Sequence, residues 1–235
     1  MDGHDMLQAI MTAGKNKLEV LELSDNNINT GGDTFTFIPD FLAENPILES
    51  LDLTDNELDE NDAIFVASSL NHNTNLRSLA ISGNNTTSAG WEALSKAVFD
   101  KTSLNSAAKS NHTCTIDFPL HSKYVHVREI NGDEFFDHYY DPEYVRQKKI
   151  YYILSARNRS LSNVDHFDED MPVELLPDML MSIQKYAHYH DIGNDEEKEV
   201  KPSQDNSDVK PLSIMFEILQ RWDKSLSLFE ALSSS

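Results

Sequence analysis

The stretch LEVLELSDNNI (Leu18–Ile28) decides the fold, and it recurs as LESLDLTDNEL (Leu48–Leu58). Both copies place leucine at positions 1, 4 and 6, asparagine at position 9, and isoleucine or leucine at position 11. A third copy begins at Leu76 and keeps the apolar and asparagine positions up to Asn84. Self-similarity at steps of 30 and 28 residues indicates a stacked array of structural repeats.

Each copy is predicted to supply one strand and one helix. Because one such unit cannot bury its apolar face alone, the leucines of neighbouring strands should stack into a continuous core. The predicted strands are Leu18–Leu23, Leu48–Leu53 and Leu76–Ile81. The predicted helices cover residues 2–13, part of residues 33–44 with Pro39 in the first turn, Glu60–Leu70 and Ser88–Phe99, and they are expected to bury Ile10, Ile64 and Trp91 among others.

A fourth, degenerate unit is predicted to begin at Leu104. It places Ala107 and Lys109 where leucines would stand, and it runs through the segment Ser110–Ile116. The array is therefore expected to occupy residues 1–116 and to begin in mid-repeat, with a helix whose own strand is absent.

The three copies identify the first half as leucine-rich repeats, and their length resembles the ribonuclease-inhibitor-like class. This resemblance covers residues 2–116. It implies an α/β solenoid, a short right-handed horseshoe with parallel strands on the concave face and helices outside. A mainly α-helical C-terminal region is expected to follow. The fold serves many unrelated partners, so it implies a class of function and not a particular partner.

Asparagine follows each predicted strand. The side-chain amides of Asn26, Asn56 and Asn84 can hydrogen-bond turn backbone that would otherwise hold unsatisfied polar groups. We therefore expect a structural asparagine ladder at these positions and no ligand role.

The concave surface is the candidate binding site, and a protein partner of basic character is expected there. It carries Val20, Ser50, Ser78 and Ala80 together with the candidate contact residues Glu19, Glu22, Ser24, Glu49, Asp52, Thr54, Arg77 and Ser82. The surface is acidic at one end, neutral at the other and without aromatic residues, although binding hot spots favour Trp, Tyr and Arg. The alternative is an ordinary solvated sheet face.

The second half fits no repeat. Residues 117–190 are predicted to form a helical and irregular capping region, residues 191–210 an acidic flexible linker, and residues 211–235 an amphipathic helix. Within the first of these, KYVHVREI (Lys123–Ile130) could form an edge strand. The helix at residues 143–157 should carry a basic face of Arg146, Lys148, Lys149, Arg157 and Arg159, either for an anionic partner or for ion pairs with the acidic repeats.

Two further resemblances concern the tail. Segments Thr102–Cys114 and Lys148–Val164 are similar to the layout of algal leucine-rich-repeat proteins, in which a short solenoid runs into a helical tail. The string MPVELLPDML, which begins at Met171, loosely resembles the opening of an F-box, and that would imply a ubiquitin-ligase substrate adaptor.

Composition limits the function classes. A net charge of −21 opposes binding to nucleic acid or anionic lipid and favours basic partners, although it also serves solubility. A single cysteine, Cys114, suits a reducing compartment, the cytoplasm or alternatively the nucleus. No apolar run reaches the roughly 20 residues of a membrane span.

The sequence shows no catalytic, cofactor-binding or metal-binding constellation. It lacks the Gly-rich phosphate loops and the nucleophile motif Gly-x-Ser-x-Gly. His188 and His190 are two apart on a predicted helix, so they point away from each other. The predicted function is therefore a non-enzymatic protein-interaction scaffold. The alternative is a regulator of a small GTPase, by fold-level analogy with the Ran GTPase-activating-protein family.

Overall fold

The computed structural model describes residues 3–29, 37–119, 124, 127, 130, 141–158, 173–192 and 211–219. The chain divides into two compact units. The first comprises residues 1–100 and 109–145, and the second comprises residues 101–108 and 146–235.

A four-stranded parallel sheet forms the centre of the first unit. Its strands are β1 (Val20–Glu22), β2 (Ser50–Asp52), β3 (Ser78–Ala80) and β4 (Thr115–Ile116), and they lie in the order β1-β2-β3-β4. The register aligns Leu21, Leu51, Leu79 and Ile116 across the sheet. The leucine spacing therefore predicted the strand positions, and each strand is shorter than the predicted segment.

The apolar strand positions form the predicted core in the interior units. Leu51, Leu53, Leu79 and Ile81 are at most 1% exposed. Leu21 in the first copy is only half-buried, because β1 lies at the edge of the sheet.

Helices alternate with the first three strands along the chain, and one of them precedes β1. The helices are α1 (Gly3–Gly14), α2 (Phe37–Ala43), α3 (Glu60–Leu70) and α4 (Ser88–Val98). The bounds of α3 are those predicted, because Asp59 caps it: its side chain accepts the backbone N–H of Asn61 and of Asp62, and Asp62 returns a bond to the Asp59 N–H. Pro39 lies in the first turn of α2, also as predicted.

Two predicted core residues of the helices are instead exposed. Ile10 is 42% exposed and Ile64 is 39% exposed. The buried apolar positions of α3 are Ala63, Val66, Ala67 and Leu70, so the predictions for Ala67 and Leu70 are confirmed. The small side chain of Ala63 lets the neighbouring helix approach closely. A Cβ added to Gly90 of α4 would lie 2.9 Å from the Ala63 Cβ, closer than carbon atoms pack.

Gly90→Ala is expected to destabilise the protein by about 1–2 kcal/mol, although alanine favours helix formation over glycine. The contact with the Ala63 Cβ forces α3 and α4 apart, and the added methyl would also lie 2.8 Å from the Thr86 Cγ2 just before α4. Urea denaturation measures the effect. Ala89→Ser, at the exposed neighbouring position, is the control and should change stability by less than about 0.5 kcal/mol. An unchanged urea midpoint for Gly90→Ala would contradict the close helix contact.

The prediction for the fourth unit is wrong in its first half. Residues Leu104–Lys109 form a helix, α5, and no strand. The Ser103 Oγ accepts the Ser106 N–H at 2.8 Å, so a serine cap and two alanines favour a helical turn where only the leucine spacing suggested a strand. The strand of this unit is β4, which lies within the predicted segment Ser110–Ile116.

The predicted edge strand near residue 125 is also wrong at the positions described. Val127 and Ile130 are helical, and with Tyr124 they are buried at a spacing of three residues. Aromatic rings join this segment to the array. Phe118 lies 5.8 Å from Trp91 and 5.6 Å from Tyr124 between ring centroids. These contacts pack side chains onto the unit that carries α4.

The second unit contains residues 104–108 of α5 and residues 146–158 of the next helix, α6 (Pro142–Asn158). It also contains a 3-10 turn (Val173–Leu175), α7 (Leu176–Ile192) and α8 (Pro211–Leu219). The predicted basic face of α6 is not a free patch. Lys149 is fully buried, and Arg146 pairs with Asp178 of α7 at 2.7 Å. Arg146 thus forms its ion pair with α7. Arg159 lies outside the described residues.

The apolar spacing within residues 211–235 predicts a packed face that includes Leu212, Met215 and Phe216. Helix α8 packs through a different face. Ile214 and Ile218 are buried, whereas Leu212 is 74% exposed and Phe216 is 64% exposed. The nearly buried Glu217 accepts a hydrogen bond from the Asn158 Nδ2 at 2.6 Å, and this polar contact fixes which face packs. The linker was predicted to begin at residue 191, but Asp191 and Ile192 belong to α7. Residues 193–210 of the predicted linker and residues 220–235 of the predicted helix lie outside the described part. Within the described residues, no helix has the length and apolarity of a membrane span.

Candidate functional site

The outward side chains of the sheet form one surface, here called the strand face. The register sets Val20 beside Ser50 and Ser78, and Glu22 beside Asp52 and Ala80. The strand face is completed by Ser24, Thr54 and Ser82 after the strands and by Glu19, Glu49 and Arg77 before them. The repeat spacing alone thus brings the sequence-predicted contact residues onto adjacent strands.

Charge is distributed unevenly along the strand face. Glu19 and Glu22 are exposed on the β1 side, and Asp52 is half-exposed beside them. The Arg77 Nε lies 3.7 Å from the Glu49 Oε1, so the positive charge of Arg77 compensates the negative charge of Glu49. The carboxylates of β1 and β2 are left as the charged feature of the surface.

The side chains of the strand face are mostly small and their positions are fixed. The Asp52 Oδ1 accepts the Thr54 N–H at 2.8 Å, which orients that carboxylate. Val20, at 58% exposure, is the large apolar side chain of the face. Sequence reasoning missed Thr115, which extends the row of Ser50 and Ser78 onto β4. The helix α5 shifts β4 along the chain, so the repeat period could not locate it.

The asparagines after the strands bind backbone, as their position suggested. The Asn56 Nδ2 donates to the carbonyls of Leu23, Leu53 and Thr54, and its Oδ1 accepts the N–H groups of Asn26 and Ile28. Asn84 repeats the pattern one unit on, and its amide spans back to the Leu53 carbonyl at 2.8 Å. These side chains tie neighbouring units together.

Asp117 closes this series after β4, and sequence reasoning missed it. Its two carboxylate oxygens accept the N–H groups of Ile81 at 2.8 Å and Ser82 at 3.1 Å. The sequence signal for this role was an acidic residue directly after β4.

A second asparagine series lies before the strands and was also missed. The Asn73 Oδ1 accepts the Leu76 N–H at 2.7 Å, and the Asn111 Oδ1 accepts the Cys114 N–H at 2.8 Å. The amide of Asn111 reaches back one unit to the Leu70 carbonyl at 2.8 Å. The signal was an asparagine three residues before a buried strand residue, and Asn45 holds the same place before the second strand.

The described residues offer little for chemistry. In that part of the chain, no three His, Cys, Asp or Glu side chains group as a metal site would require. Cys114 and Tyr151 are both buried, at 1% and 5% exposure. Burial raises the pKa of the Tyr151 phenol. A cleft beside α2 and α3 has a volume of about 170 Å³, below the roughly 300 Å³ at which ligand pockets begin.

A comparison with protein families agrees with the geometry. A family model described as Leucine Rich repeat matches residues 14–32, 44–67 and 72–95. No curated protein and no solved structure matches the chain. Leucine-rich repeats are generally protein-interaction modules, and the match indicates no catalytic family. The N-terminal region is therefore built of leucine-rich repeats, with the strands and helices of an α/β repeat solenoid.

Proposed function

We propose that the chain is a non-enzymatic scaffold whose strand face binds a basic segment of a protein partner. The observation that carries this proposal is the pairing of Glu22 with Asp52 in register on neighbouring strands. Among the described residues, no basic side chain forms an ion pair with either carboxylate. The two acids are thus available for a partner's lysine or arginine.

The physics of the site supports a basic partner. Adjacent strands lie about 4.8 Å apart, so two carboxylates in register repel each other and gain from a shared cation. The overall charge of −21 adds a long-range field that steers basic proteins toward the chain. Small neighbours such as Ser50 and Ala80 let a partner's backbone approach the sheet.

Two finer assignments belong to the same proposal. Units of 28–30 residues with helices such as α3 and α4 support the ribonuclease-inhibitor-like class of repeat. Cys114 is the single cysteine of the sequence, which supports a reducing compartment, for which we propose the cytoplasm or the nucleus.

Salt is expected to weaken the interaction. Raising ionic strength from about 0.05 M to about 0.5 M shortens the screening length several-fold, so recovery of partners from a native-cell extract should fall by roughly tenfold. Quantitative mass spectrometry of the captured proteins measures this. Partner recovery that stays constant across the salt series would contradict an acidic recognition surface.

A further inference from the structure

In the described part of the chain, the outer edge of β1 is an open strand edge. In the sheet order β1 has β2 on one side, and among the described residues no strand pairs with its other side. An unpaired edge presents a row of N–H and C=O groups that can bind another extended chain.

The equivalent residues of the interior strands show which groups are open. In the second repeat the Asp52 carbonyl accepts the Leu23 N–H at 2.8 Å and the Thr54 carbonyl accepts the Asp25 N–H at 3.0 Å. In the third repeat the carbonyls of Ala80 and Ser82 accept bonds from the second repeat in the same way. By this register Val20, Glu22 and Ser24 direct their backbone groups to the outer edge of β1.

The side chains beneath this edge are also incompletely covered. Leu48, Leu51 and Leu53 are at most 1% exposed, whereas their first-copy equivalents Leu18, Leu21 and Leu23 are half-buried. The outer edge of β1 therefore combines backbone hydrogen-bonding groups with partly exposed apolar side chains.

The asparagine ladder ends at the same place. Asn26 has one hydrogen bond from its amide, to the Ser24 carbonyl at 2.9 Å, and the described residues supply no donor to its Oδ1. Asn56, one unit on, makes bonds on both sides. The first unit thus keeps an acceptor in the position where the next unit binds its neighbour.

We propose that a protein partner adds an extended segment to β1 as a further strand, with apolar side chains against Leu21 and Leu23 and lysine or arginine on the outward side. The exposed carboxylates of Glu19 and Glu22 flank this edge, and they select a basic segment. A second copy is disfavoured because pairing would bring these acids together on chains of charge −21. The proposal concerns the backbone edge of β1 and does not depend on binding at the strand face.

The test uses the full chain and a synthetic ten-residue peptide of alternating valine and lysine. Amide hydrogen exchange followed by NMR should show that Val20, Glu22 and Ser24 become about tenfold or more better protected when the peptide is added. A peptide of alternating valine and glutamate should give no protection. Lack of protection at these amides with the lysine peptide would overturn the proposal.

A matched pair of variants separates edge pairing from other contacts. Val20→Pro removes an outward N–H and should weaken peptide binding about tenfold, whereas the β-branched Val20→Thr keeps that N–H and should stay within about twofold. Equal affinities for both variants would overturn strand addition. Protection that grows with protein concentration and without peptide would assign the edge to a second copy and would overturn it too. The strand-face proposal would survive either failure, because its charge pair includes Asp52 on β2.

Discussion

Asn56→Ala is expected to lower the free energy of unfolding by roughly 3–5 kcal/mol. Asn56 is 7% exposed, and its side chain makes five hydrogen bonds to the backbone of two neighbouring units. Alanine leaves these donors and acceptors without a partner where water has little access. Urea denaturation of the full chain, followed by far-UV circular dichroism, measures the change.

Asn26→Ala is the matched control for this prediction. Asn26 stands at the same repeat position, but it is exposed and its amide bonds one carbonyl. Its replacement should therefore cost less than about 1 kcal/mol. If the two variants were equally stable, the asparagine ladder could not be what joins neighbouring units.

Leu79→Ala should destabilise the chain by roughly 3–5 kcal/mol, because it opens a cavity in the centre of the core. Leu79 is 0% exposed and lies in register between Leu51 and Ile116. The surrounding strands are tied on both sides, so they cannot collapse to fill the space. The same denaturation measurement applies.

Leu21→Ala makes the corresponding change at the edge of the sheet. Leu21 is half-buried and has a strand on one side, so the loss should be about 1–2 kcal/mol. An equal loss at Leu21 and Leu79 would mean that the first unit is as well covered as the third, in disagreement with the open edge of β1.

The repeat pattern predicted what depends on local chemistry and regular stacking. Leucines at positions 1, 4 and 6 placed the first three strands, and the cap residue Asp59 matches the predicted start of α3. The alignment of Glu22 with Asp52 followed from the period alone. Each of these features repeats, so several copies supported the same inference.

Two of the failures lie where the repeat stops. Leu104 fits the period but begins a helix, because the serine cap and the alanines beside it outweigh a single leucine. Apolar spacing on α8 suggested that Leu212 and Phe216 pack, yet the buried contact between Asn158 and Glu217 turns that face outward. Such long-range polar contacts leave no periodic signal in one sequence.

The missed asparagines have a different cause. Asn73 and Asn111 carry a visible spacing before the strands, but a turn that contains asparagine has many local uses. The contacts of the Asn111 amide with the Leu70 and Asn73 carbonyls show that this side chain joins two units. The residues of the candidate site were easier to predict than these asparagines, because side chains along a strand alternate between the two faces of the sheet.

The central claim is that the carboxylates of Glu22 and Asp52 bind the partner. Affinity purification from native cells with quantitative mass spectrometry should compare the chain with Glu22→Lys plus Asp52→Lys. The control is Glu57→Lys plus Glu174→Lys, which makes the same charge change at exposed acids outside the strand face. We predict that the strand-face reversal lowers partner recovery at least about tenfold while the control stays within about twofold. A partner set that is retained by the strand-face reversal, or lost equally in the control, would contradict the account.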